Sequence, residues 1–233
     1  MTAYSKGVQG GVPIALGYFA VSFTFGIAAA RGGISATVAA LISLTNVTSA
    51  GQLAGLGIML QAGSLWEMAL TQFVINLRYS LMSLSLSQKL SPSMPLFHRF
   101  LMAFGVTDEI FGISSIQKNP LRPSFMYGAM SVAIPGWVLG TWVGAMAGSI
   151  LPAYLLSALG VAIYGMFLAI IIPPARENRT VFYVVCGAMI LSCLFYYAPL
   201  LKRVSSGFAI IISTVAAASL AAWLRPVEEV QHD

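Results

Sequence analysis

Charged side chains are scarce in this sequence. Only 8% of the 233 residues are Asp, Glu, Lys or Arg, and seven of them are acids, whereas soluble domains typically carry about 25% charged residues. Hydrophobic residues make up 58% of the chain, and the mean hydropathy is +0.85. This balance excludes an ordinary soluble domain and predicts an integral membrane protein.

Residues that hold metals or perform redox chemistry are also few. His98 and His232 have no second ligand at metal-binding spacing. Cys186 and Cys193, seven residues apart in one apolar segment, are typical of helix packing. There is no GxxxxGK[ST] phosphate loop. We therefore expect no cofactor, no resident metal and no enzymatic activity, and the net charge of +5 indicates loops near anionic lipid rather than a nucleic-acid partner.

Long uncharged runs are what the chain has instead. A helix needs ~20 apolar residues to cross ~30 Å of hydrocarbon. We predict an all-α membrane helix bundle with about seven spans plus a re-entrant or broken segment, forming a single transmembrane domain over residues 1–233. The predicted spans are 12–30, one within 34–60, 65–87, 125–150, 153–172, 181–198 and 204–224.

The remaining apolar segment, 96–116, contains two adjacent acids. If it does not cross fully, an outside N-terminus places Arg31, Lys89 and most other loop cations inside, as the positive-inside rule prefers. If it does cross, the two possible orientations place almost equal numbers of Lys and Arg on the inside. The distribution of Lys and Arg therefore favours a partial or re-entrant segment at 96–116.

Two stretches of the sequence resemble each other. "GYFAVSFTFGIAAARGGIS" and "GWVLGTWVGAMAGSIL" both pair Gly with an aromatic residue and then carry small residues at every fourth position, which lets helix backbones approach closely in lipid. Repeats of half the chain length, here 1–117 and 118–233, are typical of secondary transporters and are inverted if an odd number of spans separates them. Alternatively, Gly and Ala are simply frequent here. The small residues are Ser22, Gly26 and Ala30 in the first stretch and Gly136, Gly140, Gly144 and Gly148 in the second.

Three charges fall inside predicted membrane segments. An Arg at the centre of a span, such as Arg78, costs ~2.5–3.5 kcal/mol on insertion scales and needs partners. Asp108 and Glu109 are the nearest acids within an apolar segment, so we expect both to pair with Arg78. Adjacent helical residues point ~100° apart, which requires a helix that breaks or begins there. Thr107 as N-cap and Gly105 as a breaker permit such a start.

The charges do not balance. One guanidinium faces two carboxylates, which leaves one negative charge in a poorly solvated site. A proton or the ammonium group of a bound amine can neutralise it. The group therefore suits a zwitterionic ligand, or exchange between a proton and an ammonium group. The alternative is an ion triad that only holds helices together.

Polar residues accompany these charges. Asn76 and Tyr79 can form hydrogen bonds in the same layer as Arg78, or between helices. The stretch "SLTNVTSAGQLAG" places Ser49 and Gln52 at lipid depth beside glycines. We predict that this segment is unwound around a cavity, where freed backbone groups bind a ligand. Helix packing through hydroxyl groups is the alternative.

Three of these stretches resemble the motifs of the AzlC family. They are "TSAGQLAG" at Thr48, "INLRYSLMSLSLSQKL" at Ile75 and "GVTDEIFGI" at Gly105, and the opening "GVPIALGYFAVSFTFGIAAARGGIS" is similar as well. The resemblance covers most of the chain. Tyr79 stands where many members have His, and "AGQ" is shorter than the more frequent Ala-Gly-x-x-Gln.

The resemblance implies the large subunit of a bacterial branched-chain amino-acid exporter. Such a protein would work in the inner membrane with a separately encoded, small AzlD-type subunit. It would export Leu, Ile, Val and often Met, driven by an ion gradient such as that of protons.

On this hypothesis, Arg78 holds the substrate carboxylate, and Asp108 or Glu109 takes the ammonium group or a coupling proton. Two alternatives remain open: a cation or proton channel whose acids form a selectivity site, and a scaffold subunit that does not transport. The predicted substrate-binding residues are Arg78, Asn76, Tyr79, Gln52, Ser49 and Thr107, and the predicted coupling residues are Asp108 and Glu109.

Overall fold

The computed structural model describes residues 2–117, 120–148, 175–199 and 201–224, with isolated positions at 152, 154, 168, 171 and 172. Within these ranges the chain is helical without β-strands, which confirms the all-α class. The predicted span 153–172 lies almost wholly outside the described residues. The helices are α1 (Ala3–Arg31), α2 (Ala36–Thr45), α3 (Ser49–Leu60), α4 (Leu65–Ser87), α5 (Leu96–Phe104), α6 (Asp108–Ser115), α7 (Pro123–Gly148), α8 (Arg179–Tyr197) and α9 (Ser206–Leu224), with a 3-10 turn at Leu201–Arg203.

Among the described residues, α1, α7 and α8 are long and apolar enough to cross a membrane. Helix α4 has the bounds predicted from the sequence, and α9 begins two residues after its predicted start. Large apolar side chains such as Leu16 and Leu139 are more than half exposed on the outer faces of α1 and α7. An apolar exterior of this kind is what a lipid environment requires, so the protein is a membrane protein.

The chain divides into two compact units. Unit one comprises Met1–Leu53 and Asn76–Ile163, and unit two comprises Ala54–Ile75 and Tyr164–Asp233. In unit two, Glu67 of α4 is buried and accepts a hydrogen bond from the backbone N–H of Gly207 in the first turn of α9, at 2.9 Å. The prediction of one transmembrane domain over 1–233 stays a prediction.

Helices α1 and α7 pack backbone to backbone in unit one. A Cβ atom added at Gly26 would collide with the carbonyl group of Thr141, and one added at Gly144 would collide with the carbonyl group of Phe23. Small residues at these positions are therefore required for the close approach that the sequence predicted.

The same contacts give the direction of the two helices. Gly7 lies against Phe125 near the start of both helices, and Gly26 lies against Thr141 further along both. Helices α1 and α7 thus run parallel, so these two similar stretches are not inverted with respect to each other. The proposed repeat over 1–117 and 118–233 stays a prediction.

Two segments of unit one are interrupted helices. Residues 46–48, which we call break one, separate α2 from α3, and residues 105–107, which we call break two, separate α5 from α6. Thr107 caps α6 by accepting a hydrogen bond from the backbone N–H of Ile110 at 3.3 Å. Both the unwound second segment and the helix start at Thr107 were predicted from the sequence and are confirmed.

The segment that contains break two returns towards the side from which it came. Helix α5 begins beside the first turns of α7, where His98 Nδ1 lies 2.6 Å from the hydroxyl oxygen of Tyr127. Helix α6 ends in the same region, because Lys89 Nζ donates to the carbonyl groups of Ser115 and Gln117 beyond the end of α4. The prediction of a re-entrant or broken segment is thus confirmed.

Arg31 and Lys89 do not share one side of unit one. The carbonyl oxygen of Lys89 accepts from the N–H of Leu121, just before α7 begins, at 2.8 Å. Arg31 ends α1, and its neighbour Ala30 lies against Gly148 at the other end of α7. The prediction that Arg31 and Lys89 lie on the same membrane side is therefore wrong.

The physical reason for that difference lies at break one. Gln52 in the first turn of α3 donates a hydrogen bond to the hydroxyl oxygen of Ser43 on α2, at 2.7 Å. A continuous helix would place residues nine apart about 13 Å apart along its axis. The chain therefore doubles back at break one, whereas the charge count assumed that the segment within 34–60 continues straight across.

Candidate functional site

An ion pair lies beside break two. Arg78 Nη1 on α4 is 2.6 Å from Asp108 Oδ2 at the start of α6. The two side chains keep 38% and 37% of their surface exposed, so the pair is not sealed inside the protein. A small charged ligand could therefore reach both groups without unfolding either helix.

Tyr79 holds the guanidinium group from a second side. Arg78 Nη2 donates to the hydroxyl oxygen of Tyr79 at 3.1 Å. The guanidinium carbon also lies 4.8 Å from the centre of the Tyr79 ring, within the range of a cation–π contact. Arg78 is thus oriented by an anion and by an aromatic ring at once.

Glu109 does not pair with Arg78, so the expectation that both acids contact this guanidinium is wrong. Adjacent residues on a helix diverge by ~100°, and α6 already turns Asp108 towards Arg78. Glu109 Oε2 instead lies 2.6 Å from the hydroxyl oxygen of Tyr18 on α1. No Lys, Arg or His within the described ranges forms an ion pair with Glu109. Glu109 is exposed, so this unpaired acid does not lie in the poorly solvated surroundings expected from the sequence.

The hydroxyl group of Tyr18 lies within 2.6 Å of two oxygens, Glu109 Oε2 and Thr107 Oγ1. It has only one proton to donate. When Glu109 is ionised, donation to its carboxylate is the stronger bond, so Tyr18 then donates to Glu109 and accepts from the hydroxyl group of Thr107. Thr107 therefore caps α6 and supports the Tyr18–Glu109 bond at the same time.

A small cavity joins the two breaks. Its volume is about 200 Å³. At its wall, the hydroxyl group of Thr48 in break one donates to Asn76 Oδ1 on α4 at 3.1 Å. The cavity therefore has a polar wall beside an apolar one, and its lining residues are Thr45, Asn46, Val47, Thr48, Asn76, Tyr79, Ala103, Phe104 and Val106.

Gln52 occupies a different, saturated network. Its side chain is 1% exposed, and its amide donates to Ser43 and accepts from the indole N–H of Trp137 at 2.8 Å. The hydroxyl oxygens of Ser43 and Thr141 lie 2.6 Å apart. Gln52 does not line the cavity, and Ser49, the first residue of α3, does not line it either.

Apart from Gln52 in its separate network and Ser49 at the start of α3, the predicted site residues fall into three places. Arg78, Asp108 and Tyr79 form the ion-pair group, Asn76 faces the cavity, and Thr107 and Glu109 meet through Tyr18. Tyr18 was missed from the sequence. The available signal was its position four residues before Ser22, in the row of small residues that packs against α7.

Clusters of metal-binding side chains are absent from the part of the chain that the structure describes. Among those residues there is no group of three or more His, Cys, Asp or Glu side chains close enough to hold an ion. The chemistry that the site offers is one permanent cation, two acids and an adjoining cavity.

Comparisons with known proteins give matches over much of the chain. The model of the AzlC family, described as AzlC protein, matches residues 13–151 and so includes both breaks and all of the predicted site residues. An uncharacterized membrane protein of Archaeoglobus fulgidus is 34% identical over 191 residues, which cover 81% of this chain and 84% of that protein. The inner membrane protein YgaZ of Escherichia coli is 30% identical over 184 residues, covering 76% of this chain and 75% of YgaZ.

An uncharacterized membrane protein of Helicobacter pylori is 25% identical over 141 residues, which cover 59% of this chain and 61% of that protein. No solved structure shows a significant match. The family model matches more than half of the chain, and two relatives of at least 30% identity align over most of both chains. The chain belongs to the AzlC family of membrane proteins.

Proposed function

We propose that this protein is the large subunit of a secondary exporter for branched-chain amino acids, a multi-pass protein of the bacterial inner membrane. The observation that carries this proposal is the partly exposed ion pair of Arg78 and Asp108 beside two interrupted helices. Interrupted helices around a central site are a recurrent plan for binding small charged substrates in secondary transporters.

The ion pair is complementary to a zwitterion. An amino acid carries one carboxylate and one ammonium group, the same two charges that Arg78 and Asp108 present to each other. The substrate carboxylate would bind Arg78, which offers a planar pair of donors, and the ammonium group would bind Asp108. Each charge of this partly exposed pair keeps a partner with and without substrate, so the exchange avoids leaving a charge unpaired.

The cavity suits the rest of such a substrate. Val47, Phe104 and Val106 supply apolar surface for an aliphatic side chain, while Asn76 and Tyr79 supply polar groups, and Tyr79 also contacts Arg78. A volume of about 200 Å³ is below the ~300–1,000 Å³ of pockets for drug-sized ligands. A single amino acid is the right class of solute for this space.

Coupling to an ion gradient falls to Glu109. Asp108 is engaged by Arg78, whereas Glu109 is contacted by the hydroxyl group of Tyr18 and has no cationic partner among the described residues. A proton bound to Glu109 would remove the remaining negative charge of the site. The separately encoded AzlD-type subunit is proposed from the family resemblance alone.

The positions of Lys and Arg indicate how unit one is oriented in the membrane. Lys6, Lys89, Arg99 and Arg122 lie at the end where α1 and α7 begin, and Arg31 lies at the other end. The positive-inside rule then favours an N-terminus in the cytoplasm. Labelling of single cysteines introduced at positions 2 and 32 with a membrane-impermeant reagent checks this orientation.

The function is tested by counterflow of labelled leucine in vesicles, with and without the small subunit. Vesicles preloaded with unlabelled leucine should take up label transiently, and preloading with a non-amino-acid osmolyte should abolish the uptake. Vesicles that contain Arg78→Ala at equal protein content provide the matched control and should lose counterflow. A voltage-driven current without substrate, in place of counterflow, would instead identify a channel.

A further inference from the structure

We propose that Tyr18 is a positioning residue that transmits the protonation state of Glu109 to break two. This rests on the proposed function, in which Glu109 is the coupling group. The carrier of the signal is a short chain of hydrogen bonds from Glu109 Oε2 through the hydroxyl group of Tyr18 to Thr107 Oγ1, with both distances at 2.6 Å.

When Glu109 is ionised, the hydrogen bonds run from Thr107 through Tyr18 to Glu109. Tyr18 donates to the carboxylate, Thr107 donates to Tyr18, and the free lone pairs of Thr107 Oγ1 accept the N–H of Ile110. Every polar atom of this chain then has a partner. The three residues come from α1, from break two and from α6, so the chain ties α6 and its cap to α1.

With Glu109 protonated, the chain reverses. The carboxylic acid donates to the oxygen of Tyr18, and the O–H of Tyr18 rotates to donate to Thr107 Oγ1. Each oxygen keeps its own proton, and the only proton added is the one bound by Glu109. Thr107 now accepts from both Tyr18 and Ile110, so its own O–H must find a new acceptor at break two.

The consequence reaches the substrate cavity. Thr107 is 2% exposed, and Val106 before it lines the cavity. A hydroxyl group that must turn at Thr107 therefore reorganises the polar contacts beside the cavity wall. Protonation of Glu109, which is itself exposed, is in this way communicated to the binding region without Glu109 touching the substrate.

Other titratable groups face Glu109 from two elements. Asp108 lies next to it on α6, and Tyr79 interacts with it electrostatically from α4. Arg78, on the same helix as Tyr79, forms an ion pair with Asp108. None of these groups is within the chain of hydrogen bonds, so removal of the Tyr18 hydroxyl changes the chain and leaves these charges in place.

The ring of Tyr18 is held independently of its hydroxyl group. It makes an edge-to-face contact with Trp137 on α7, with ring centres 5.2 Å apart and an interplanar angle of 74°. Trp137 in turn donates to Gln52 beyond break one. Tyr18→Phe therefore keeps the packing between α1 and α7 and deletes only the polar link to break two.

Tyr4 provides a matched control. Its hydroxyl group lies on the same helix and donates across the same α1–α7 pair to Ser131 Oγ at 3.0 Å, away from Glu109. Tyr4→Phe removes one tyrosine hydroxyl from this helix pair and leaves the proposed chain intact.

The experiment is a pH titration of the protonated carboxyl band in infrared difference spectra of the purified protein, with Glu109→Gln identifying the band. Tyr18→Phe should move the midpoint of this band to higher pH by about half a unit to one unit, because the ionised form loses a charge-assisted hydrogen bond. Tyr4→Phe should leave the midpoint in place. An unmoved midpoint in Tyr18→Phe would overturn the proposal.

Two further measurements separate possible failures. If the wild type shows no leucine counterflow, the proposed function fails, and the infrared titration still decides the role of Tyr18. If counterflow is present, its pH profile should shift in Tyr18→Phe and not in Tyr4→Phe. If Tyr18→Phe does not accumulate, Tyr18→Met also removes the hydroxyl group that donates to Glu109 and should move the band to higher pH, and an unmoved band there also overturns the proposal.

Discussion

Break one and break two interrupt helices in similar ways but differ in charge. Break one is bordered by a neutral network in which Gln52, Ser43 and Trp137 satisfy one another. Break two is followed at once by Asp108 and Glu109, each held by a partner on another helix. One interrupted helix is therefore fixed by hydrogen bonds that do not titrate, and the other can gain and lose charge.

This difference suggests a division of labour. A saturated neutral network costs free energy whenever one of its members moves, so break one is suited to shape a cavity wall. An ion pair and a carboxylate can exchange partners with a substrate or a proton while remaining compensated. The variants below test whether the two breaks differ as this comparison requires.

The largest effect is expected at the acids of break two. Asp108→Asn should lower leucine counterflow by about 10- to 100-fold, since a neutral amide replaces a charge-assisted contact to the ammonium group. Glu109→Gln should keep counterflow within a few-fold and remove its dependence on pH. Both are measured at equal protein content across pH 5 to 8, and equal losses in the two variants would contradict separate roles.

Break one is expected to respond through stability. Gln52→Leu leaves the indole N–H of Trp137 and the hydroxyl group of Ser43 without this partner in a buried place, which should cost about 2–3 kcal/mol of the free energy of unfolding. Thermal unfolding in detergent measures it, with Gln61→Leu at an exposed position as control. The pH profile of transport per folded molecule should not change, and a shifted profile would argue against a neutral break one.

A matched pair of threonines compares the breaks directly. Thr48 and Thr107 are both buried and both immediately precede the second half of an interrupted helix. Thr107→Val should lower stability by about 1 kcal/mol through loss of the cap, and should shift the pH profile of transport. Thr48→Val should raise the KM for leucine a few-fold with an unchanged profile, because its bond to Asn76 faces the cavity. A shifted pH profile in Thr48→Val together with an unchanged one in Thr107→Val would contradict the proposed difference between the breaks.

The smallest effect is expected at Ser49. It begins α3 but does not line the cavity, so Ser49→Ala should change the KM for leucine by less than about two-fold. The concentration dependence of counterflow measures this value, and Asn76→Ala, which alters the cavity wall, serves as the comparison. A large effect at Ser49 would show that the substrate extends along α3 beyond the cavity.

Much of the local structure could be predicted from residue types. Thr107 before two acids favours a helix start, because the threonine hydroxyl accepts from a free backbone N–H group and the acids interact favourably with the helix N-terminus. The polar, glycine-containing stretch around Ser49 predicted an unwound segment for a similar reason, since such residues stabilise a lipid-depth helix poorly. These inferences depend on neighbours along the chain.

Partners across the chain were harder to predict. Arg78 was expected to bind both acids because charge alone ranks them equally, and only the turn of α6 separates Asp108 from Glu109. Tyr18 gave little signal, because an aromatic residue in an apolar helix is usually core or lipid-facing. Gln52 shared a polar stretch with Thr48, yet the fold points one into a closed network and the other towards the cavity.

By itself, the sequence predicted a helical membrane protein with two interrupted segments and with an arginine and two acids inside apolar segments. Composition, capping residues and small-residue spacing act locally, so their effects can be predicted without knowing the tertiary structure. Only the tertiary structure decided that α1 and α7 run parallel, that Arg31 and Lys89 lie at opposite ends, and that Glu109 meets Tyr18. Those outcomes depend on how helices distant in sequence pack and turn against one another, and no single segment carries that information.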